Sequence, residues 1–150
     1  MMNDMKWAKR YLSLAKEVSG WSKDPSRKIG AVAVSDKGQV LATGYNGFPR
    51  GVEDSAERYE NKDTKGKLVV HAEMNCIYNA TYNGISLDGS HLYVWGLPPC
   101  SECAKGIIQV GIKEVSYSYD EKVPDKWLKS LDTTVDLFKE TNINFNLYLF

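Results

Sequence analysis

Cysteine, net charge and long apolar runs are what these 150 residues have least of. Only three cysteines occur, Cys76, Cys100 and Cys103. So small and odd a number argues against a disulfide framework and leaves the close pair, Cys100 and Cys103, for metal binding or redox work in a reducing compartment. Nineteen basic side chains meet nineteen acidic ones, so the basic footprint of a duplex-binding protein is missing and no duplex nucleic acid is expected as partner. No apolar run approaches the ~20 residues of a membrane span, and Met1 to Lys6 show no secretory apolar segment. The expectation is a cytoplasmic protein with no membrane partner. Repeats, low-complexity tracts and Pro/Gly/Ser linkers are lacking too, which fits one domain over residues 1–150. A chain of this length buries ~70 % of its unfolded surface, so a core needs no disulfide staples.

What is present is strongly periodic. Met5, Ala8, Leu12, Ala15 and Val18 fall at helical spacing, and Gly20 closes the run. Ile29 to Val34 and Gln39 to Gly44 are β-type runs around a Ser-Asp-Lys-Gly turn, a hairpin. The polar stretch from Asn46 to Lys67 has no apolar period and predicts a long surface loop, or a short helix within one. Further helices are predicted over His71 to Tyr82, Ser101 to Val110 and Trp127 to Glu140, with strands at His91 to Trp95, Glu114 to Tyr119 and Asn142 to Tyr148. Helix-linked later strands predict an α/β protein, a three-layer α/β/α sandwich around a mixed central sheet of about five strands.

The chemistry concentrates in His71-Ala72-Glu73 and, 29 positions after His71, in Pro99-Cys100-Ser101-Glu102-Cys103. Cysteines at i and i+3 share a helix face, and near a helix N-terminus the dipole and free N–H groups favour their thiolates. Such a pair can hold Zn²⁺ at ~2.3 Å, with the His71 nitrogen at ~2.0 Å as third ligand. Three protein ligands leave a fourth position for water, the mark of a catalytic zinc. Cys76 lies five residues beyond His71, about one and a half helical turns, and is expected as a packed core thiol. His91, at the start of a strand, is expected to be structural. Glu73 does not share a helix face with His71, so the pair is explained if the metal lies off the N-terminal end of the helix and Glu73 reaches the bound water from the side. A zinc-activated hydroxide, its pKa near ~7, with Glu73 shuttling protons, would replace an amine on an amidine-like ring carbon.

This HxE and PCxxC pairing matches the signature of zinc-dependent nucleobase deaminases. Together with Asp24 to Ala31 (DPSRKIGA), Gly44 to Gly51 (GYNGFPRG), His71 to Asn75 and Pro99 to Val115, it resembles the deoxycytidylate (dCMP) deaminase family of the cytidine deaminase-like superfamily, from about Lys23 to Tyr119. The resemblance implies zinc-dependent hydrolysis of dCMP to dUMP and ammonia, supplying thymidylate synthesis, in a protein that is commonly a homo-oligomer, often a hexamer. It implies His71, Cys100 and Cys103 as metal ligands and Glu73 as the catalytic proton carrier. It also implies Asn46 on the substrate sugar, and the basic turn with Arg27 and Lys28 facing the 5′-phosphate, where a guanidinium fork and an ammonium both suit phosphate. Residues 51–70 lack the tryptophan and paired arginines of vertebrate members, so the resemblance leaves regulation by dCTP and dTTP open.

Two other readings stay open at this stage. One is a superfamily deaminase acting on a different base, nucleoside or nucleotide. The other is a non-catalytic module closed around zinc by a fourth protein ligand.

Overall fold

A helix stripe and two strand-length runs of small apolar residues set the architecture, which a computed structural model describes over residues 2–150. Helix α1 (Met2–Ser19) presents Ala8, Leu12, Ala15 and Val18 on one face, all at most 2 % exposed. Burying Leu12 and Val18 contributes about 1.5–3 kcal/mol each. The helix stops where the Gly20 amide donates back to the Lys16 and Glu17 carbonyls.

Strands β1 (Gly30–Val34) and β2 (Val40–Tyr45) form the antiparallel hairpin, turning through Gly38 at φ +83°. Strand β1 is buried along its whole length, so both of its faces carry core residues. Val32 and Val34 join the α1 cluster, while Ala31 and Ala33 join the core on the opposite face. This is the two-residue alternation of a central strand. Strand β3 (His91–Trp95) pairs antiparallel with β1. Strands β4 (Glu114–Ser118) and β5 (Asn144–Leu147) continue parallel to β3, giving a mixed five-stranded sheet ordered β2-β1-β3-β4-β5.

The sheet separates two helical layers. Helix α1 covers one face, packing on β1 and β3. The other face carries the main core, with Ala72, Cys76, Ile77, Ala104, Ile107 and Phe138 packed on Leu92, Val94 and Val115. The expected three-layer α/β/α arrangement is therefore the observed one. Among the described residues no helix is long and apolar enough to cross a membrane.

The polar stretch after Asn46 is more ordered than its lack of period suggests. It holds two short helices, α2 (Ala56–Glu60) and α3 (Lys62–Leu68). Their signal lies in the caps: Ser55 accepts from the Arg58 amide and Asn61 from the Thr64 amide. Tyr59 anchors α2 by stacking on Phe48 at 4.3 Å between centroids, and an isolated bridge between Gly47 and Val70 ties off the segment.

Candidate metal centre and substrate pocket

Two helix N-termini converge at the site. Helix α4 (Ala72–Tyr82) begins after His71, and α5 (Ser101–Gln109) begins after Cys100. The His71 carbonyl accepts the first helical bond from Asn75 N at 2.9 Å, but its side chain makes no capping bond. That leaves the imidazole to reach across to α5, where its Nδ1 lies 3.4 Å from both Cys100 Sγ and Cys103 Sγ.

The ligand atoms of His71, Cys100 and Cys103 all lie within 4.8 Å of one another. For zinc at ~2.3 Å from sulfur and ~2.0 Å from nitrogen, a tetrahedral N···S edge is about 3.5 Å. The observed 3.4 Å edges fit that ion without rearrangement. The donor set is one imidazole and two thiols, a combination zinc prefers. Among the described residues, Cys76 does not extend the group. Its side chain is fully buried, with Sγ 3.5 Å from the Ala42 carbonyl, and burial pushes its thiol up to about 12. It is the packed core thiol its spacing implied.

Local electrostatics prepare Cys100 for a cation. A hydrogen bond with the Cys103 thiol, then one with His71, hold Cys100 down to about 4 against the opposing effect of burial. Cys103 is pushed up, first by that same bond to Cys100 and then by burial. The Cys100 partnership raises His71 as well. The Cys103 amide lies 3.4 Å from Cys100 Sγ, as expected of a sulfur at a helix N-terminus.

Glu73 sits in the first turn of α4, only 3 % exposed. Burial pushes its carboxyl up to about 7, with the His71 charge pulling the other way. His71 and Glu73 line the same cavity, of about 150 Å³. Its apolar wall is Ile29, Val69, Leu97 and Trp127. Trp127 is fixed by donating Nε1–H to the Pro98 carbonyl at 2.8 Å, and its ring lies 5.8 Å from that of His71. Glycine is required once beside this site. A Cβ on Gly44 would collide with the Cys76 amide and the Ala72 carbonyl, so β2 approaches the first turns of α4 only because that position is bare.

The remaining cavity wall is polar: Asp24, Arg27, Asn46 and Lys65. Asn46 is buried, and its amide is engaged by the protein. It accepts from Ile29 N at 2.9 Å and donates to the Arg27 carbonyl at 2.9 Å and to Asp24 Oδ2 at 3.3 Å. Arg27 closes on main chain, with Nε and one terminal nitrogen on the Gly96 carbonyl at 3.2 and 2.8 Å. The Lys122 and Glu121 carbonyls accept from it at 2.9 and 2.7 Å. Lys28 does not join the cavity. It is exposed and its ammonium donates to the Ser22 carbonyl, in a neighbouring cleft. Among the sequence-picked residues, the fold thus brings His71, Glu73, Asn46 and Arg27 to one cavity and leaves Lys28 outside it.

Sequence reading missed Lys65 and Trp127. Lys65 lies in the polar stretch that showed no period, and only the Asn61 cap could have hinted at its helix. His91 stands apart from the site. Its Nε2 lies 2.7 Å from Ser116 Oγ and its ring stacks on Tyr93 at 4.0 Å. Tyr117 packs among aromatic neighbours, its ring 4.9 Å from that of Phe145.

Comparison with known proteins points one way. The family model described as the cytidine and deoxycytidylate deaminase zinc-binding region matches residues 5–119. Deoxycytidylate deaminase of Mus musculus is 38 % identical over 151 residues, covering 96 % of this chain and 80 % of the mouse protein. An uncharacterized deaminase of Aliivibrio fischeri is 36 % identical over 139 residues, covering 92 % and 90 %. The crystal structure of dCMP deaminase from the cyanophage S-TIM5, in complex with dCMP and dUMP, superposes with a TM-score of 0.74 at 27 % identity, covering 99 % of each chain.

Proposed function

The chain belongs to the cytidine and deoxycytidylate deaminase family, and we propose that it hydrolyses dCMP to dUMP and ammonia, supplying dUMP for thymidylate synthesis. The observation that carries the chemistry is the buried Glu73 carboxyl opening on the same cavity as His71, whose Nδ1 faces two cysteine sulfurs. His71, Cys100 and Cys103 would hold Zn²⁺. Bound there, the ion supplies a water acidified to ~7 as the nucleophile.

Everything else is the work of the chain. Burial raises the Glu73 carboxyl from its ordinary value, which suits a group that both takes a proton and returns it. It takes one as the water oxygen bonds to the ring carbon that bears the amine, and delivers it to the adjacent ring nitrogen. It then takes the proton of the hydroxyl now on that carbon and hands it to the amine, as the carbon–nitrogen bond breaks, the carbonyl forms and ammonia leaves. Ile29, Leu97 and Trp127 keep bulk water from the ring and strengthen each of these proton contacts. Asn46, tied to Asp24 and the Arg27 carbonyl, holds the polar wall in place.

The same reading includes one deaminase domain over residues 1–150, a cytoplasmic location and a homo-oligomeric state, for which exposed Trp21, Tyr78 and Tyr82 supply apolar contact area. Sedimentation of the purified chain tests the last point, and a monomer at micromolar concentration would remove it. The decisive assay follows ammonia release from dCMP, dCTP, deoxycytidine, cytosine and adenosine. Turnover of dCMP above the others is the expected result, and preference for any other substrate would overturn the assignment.

A further inference from the structure

Two cations, Arg27 and Lys65, line the cavity together with two buried carboxyls, Asp24 and Glu73. Either cation suits an anionic substituent on the ligand, but the two differ in what they can offer. The guanidinium of Arg27 already donates to the Gly96, Lys122 and Glu121 carbonyls, so little of its five-donor fork is left for a ligand. Its Nη1 also lies 3.8 Å from the Glu121 carboxylate, so its bonds and its charge are both engaged in joining the turn before β1 to the residues flanking β3 and β4.

Lys65 is placed differently. Its ammonium bridges both oxygens of Asp24, at 2.9 and 2.8 Å, and its side chain is 22 % exposed. Three donors serve one carboxylate group, and a donor remains for the cavity. Asp24 cannot move to follow it, because its Oδ1 accepts the Ser26 amide at 2.8 Å and its Oδ2 the Asn46 amide at 3.3 Å. Lys65 is therefore a cation held in place by Asp24 on the cavity wall, with one donor uncommitted.

We propose that Lys65, rather than Arg27 or Lys28, makes the direct contact to the phosphate of the nucleotide substrate and sets the preference for nucleotide over nucleoside. Arg27 holds the loop. This rests on the proposed dCMP deaminase activity and adds the residue that reads the phosphate. A charge-assisted contact to phosphate corresponds to ~10- to 100-fold in affinity.

The test compares kcat/KM for dCMP and for deoxycytidine in the zinc-loaded protein and in Lys65→Gln, Lys65→Arg and Lys28→Gln. Lys65→Gln is expected to shrink the dCMP-over-deoxycytidine preference about 10- to 100-fold, chiefly through KM for dCMP. Lys65→Arg is expected to recover most of it, and Lys28→Gln, which removes the same charge outside the cavity, to leave it at the wild-type value. Equal losses on both substrates, no loss, or an equal shift in Lys28→Gln would each overturn the inference. If the wild-type protein turns over no dCMP, the functional proposal itself has failed. Calorimetric binding of dUMP against deoxyuridine then reads the inference separately: the selectivity must again fall in Lys65→Gln, and an unchanged ratio or no dUMP binding by the wild type rejects it.

Discussion

The imidazole of His71 and the thiol of Cys103 stand 32 residues apart in the chain, yet Nδ1 and Sγ lie 3.4 Å from each other. The contact exists because the N-termini of α4 and α5 meet at one spot beyond the carboxyl end of β3. Its consequences are open to measurement.

Metal content follows from that contact directly. One zinc per chain is expected in the purified protein, and His71→Ala or Cys103→Ala should lose it. A ligand bound only by the folded state stabilises by mass action, about 4 kcal/mol at a thousandfold excess over Kd. Chelation should therefore lower the melting temperature of the wild type and leave that of the two variants unmoved. Elemental analysis and thermal unfolding check both points, and a variant that keeps stoichiometric zinc would remove that residue from the ligand set.

Glu73→Gln keeps the shape of the buried carboxyl and removes its ability to carry protons. The expected outcome is a fold and zinc content like those of the wild type with kcat reduced by ~10²- to 10⁴-fold. Circular dichroism and metal analysis guard against the trivial explanation, and near-normal turnover would take the proton-carrying role from Glu73.

Thiol reactivity separates the three cysteines. Burial holds Cys76 up to about 12, so at pH 8 it stays a neutral thiol out of reach of solvent. A thiol raised in the folded state favours folding below its ordinary value of about 9. That contribution is lost as pH rises from there through about 12. Titration with a thiol reagent should find no fast group in the zinc form, two after chelation and the third only on unfolding. Rapid labelling of Cys76 in the native zinc form would contradict its packing.

Gly44→Ala probes the approach of β2 to α4. The added methyl meets the main chain of Ala72 and Cys76, and backbone cannot move aside as a flexible side chain does. A loss of about 1–3 kcal/mol or more is expected, accompanied by weaker zinc binding because His71 caps the displaced helix. Denaturant unfolding with and without chelator would show both effects, and full stability would mean that the strand and helix separate at little cost.

Much of the fold is legible locally. The α1 stripe needs only a 3.6-residue period, and the hairpin only alternation around Gly38. Strand β3 is read at its observed limits, and the helices beginning near His71 and Ser101 within a residue or so. The two capped helices after Ser55 escape because five and seven residues are too few for an apolar period to form.

By itself the sequence picked out the group of His71, Cys100 and Cys103 that the fold brings together, and the carboxyl of Glu73 near it, because these are rare residue types in short HxE and CxxC spacings. It could not determine which cations face the cavity. Arg27 and Lys28 are adjacent, yet the first turns inward onto carbonyls from 69 and more residues downstream and the second outward onto Ser22. Lys65 arrives from a stretch with no periodic signal and is fixed by Asp24, 41 residues before it. Charge recognition depends on where side-chain ends meet in space, and those meetings are decided only when the sheet, its two helical layers and the α2–α3 segment have packed.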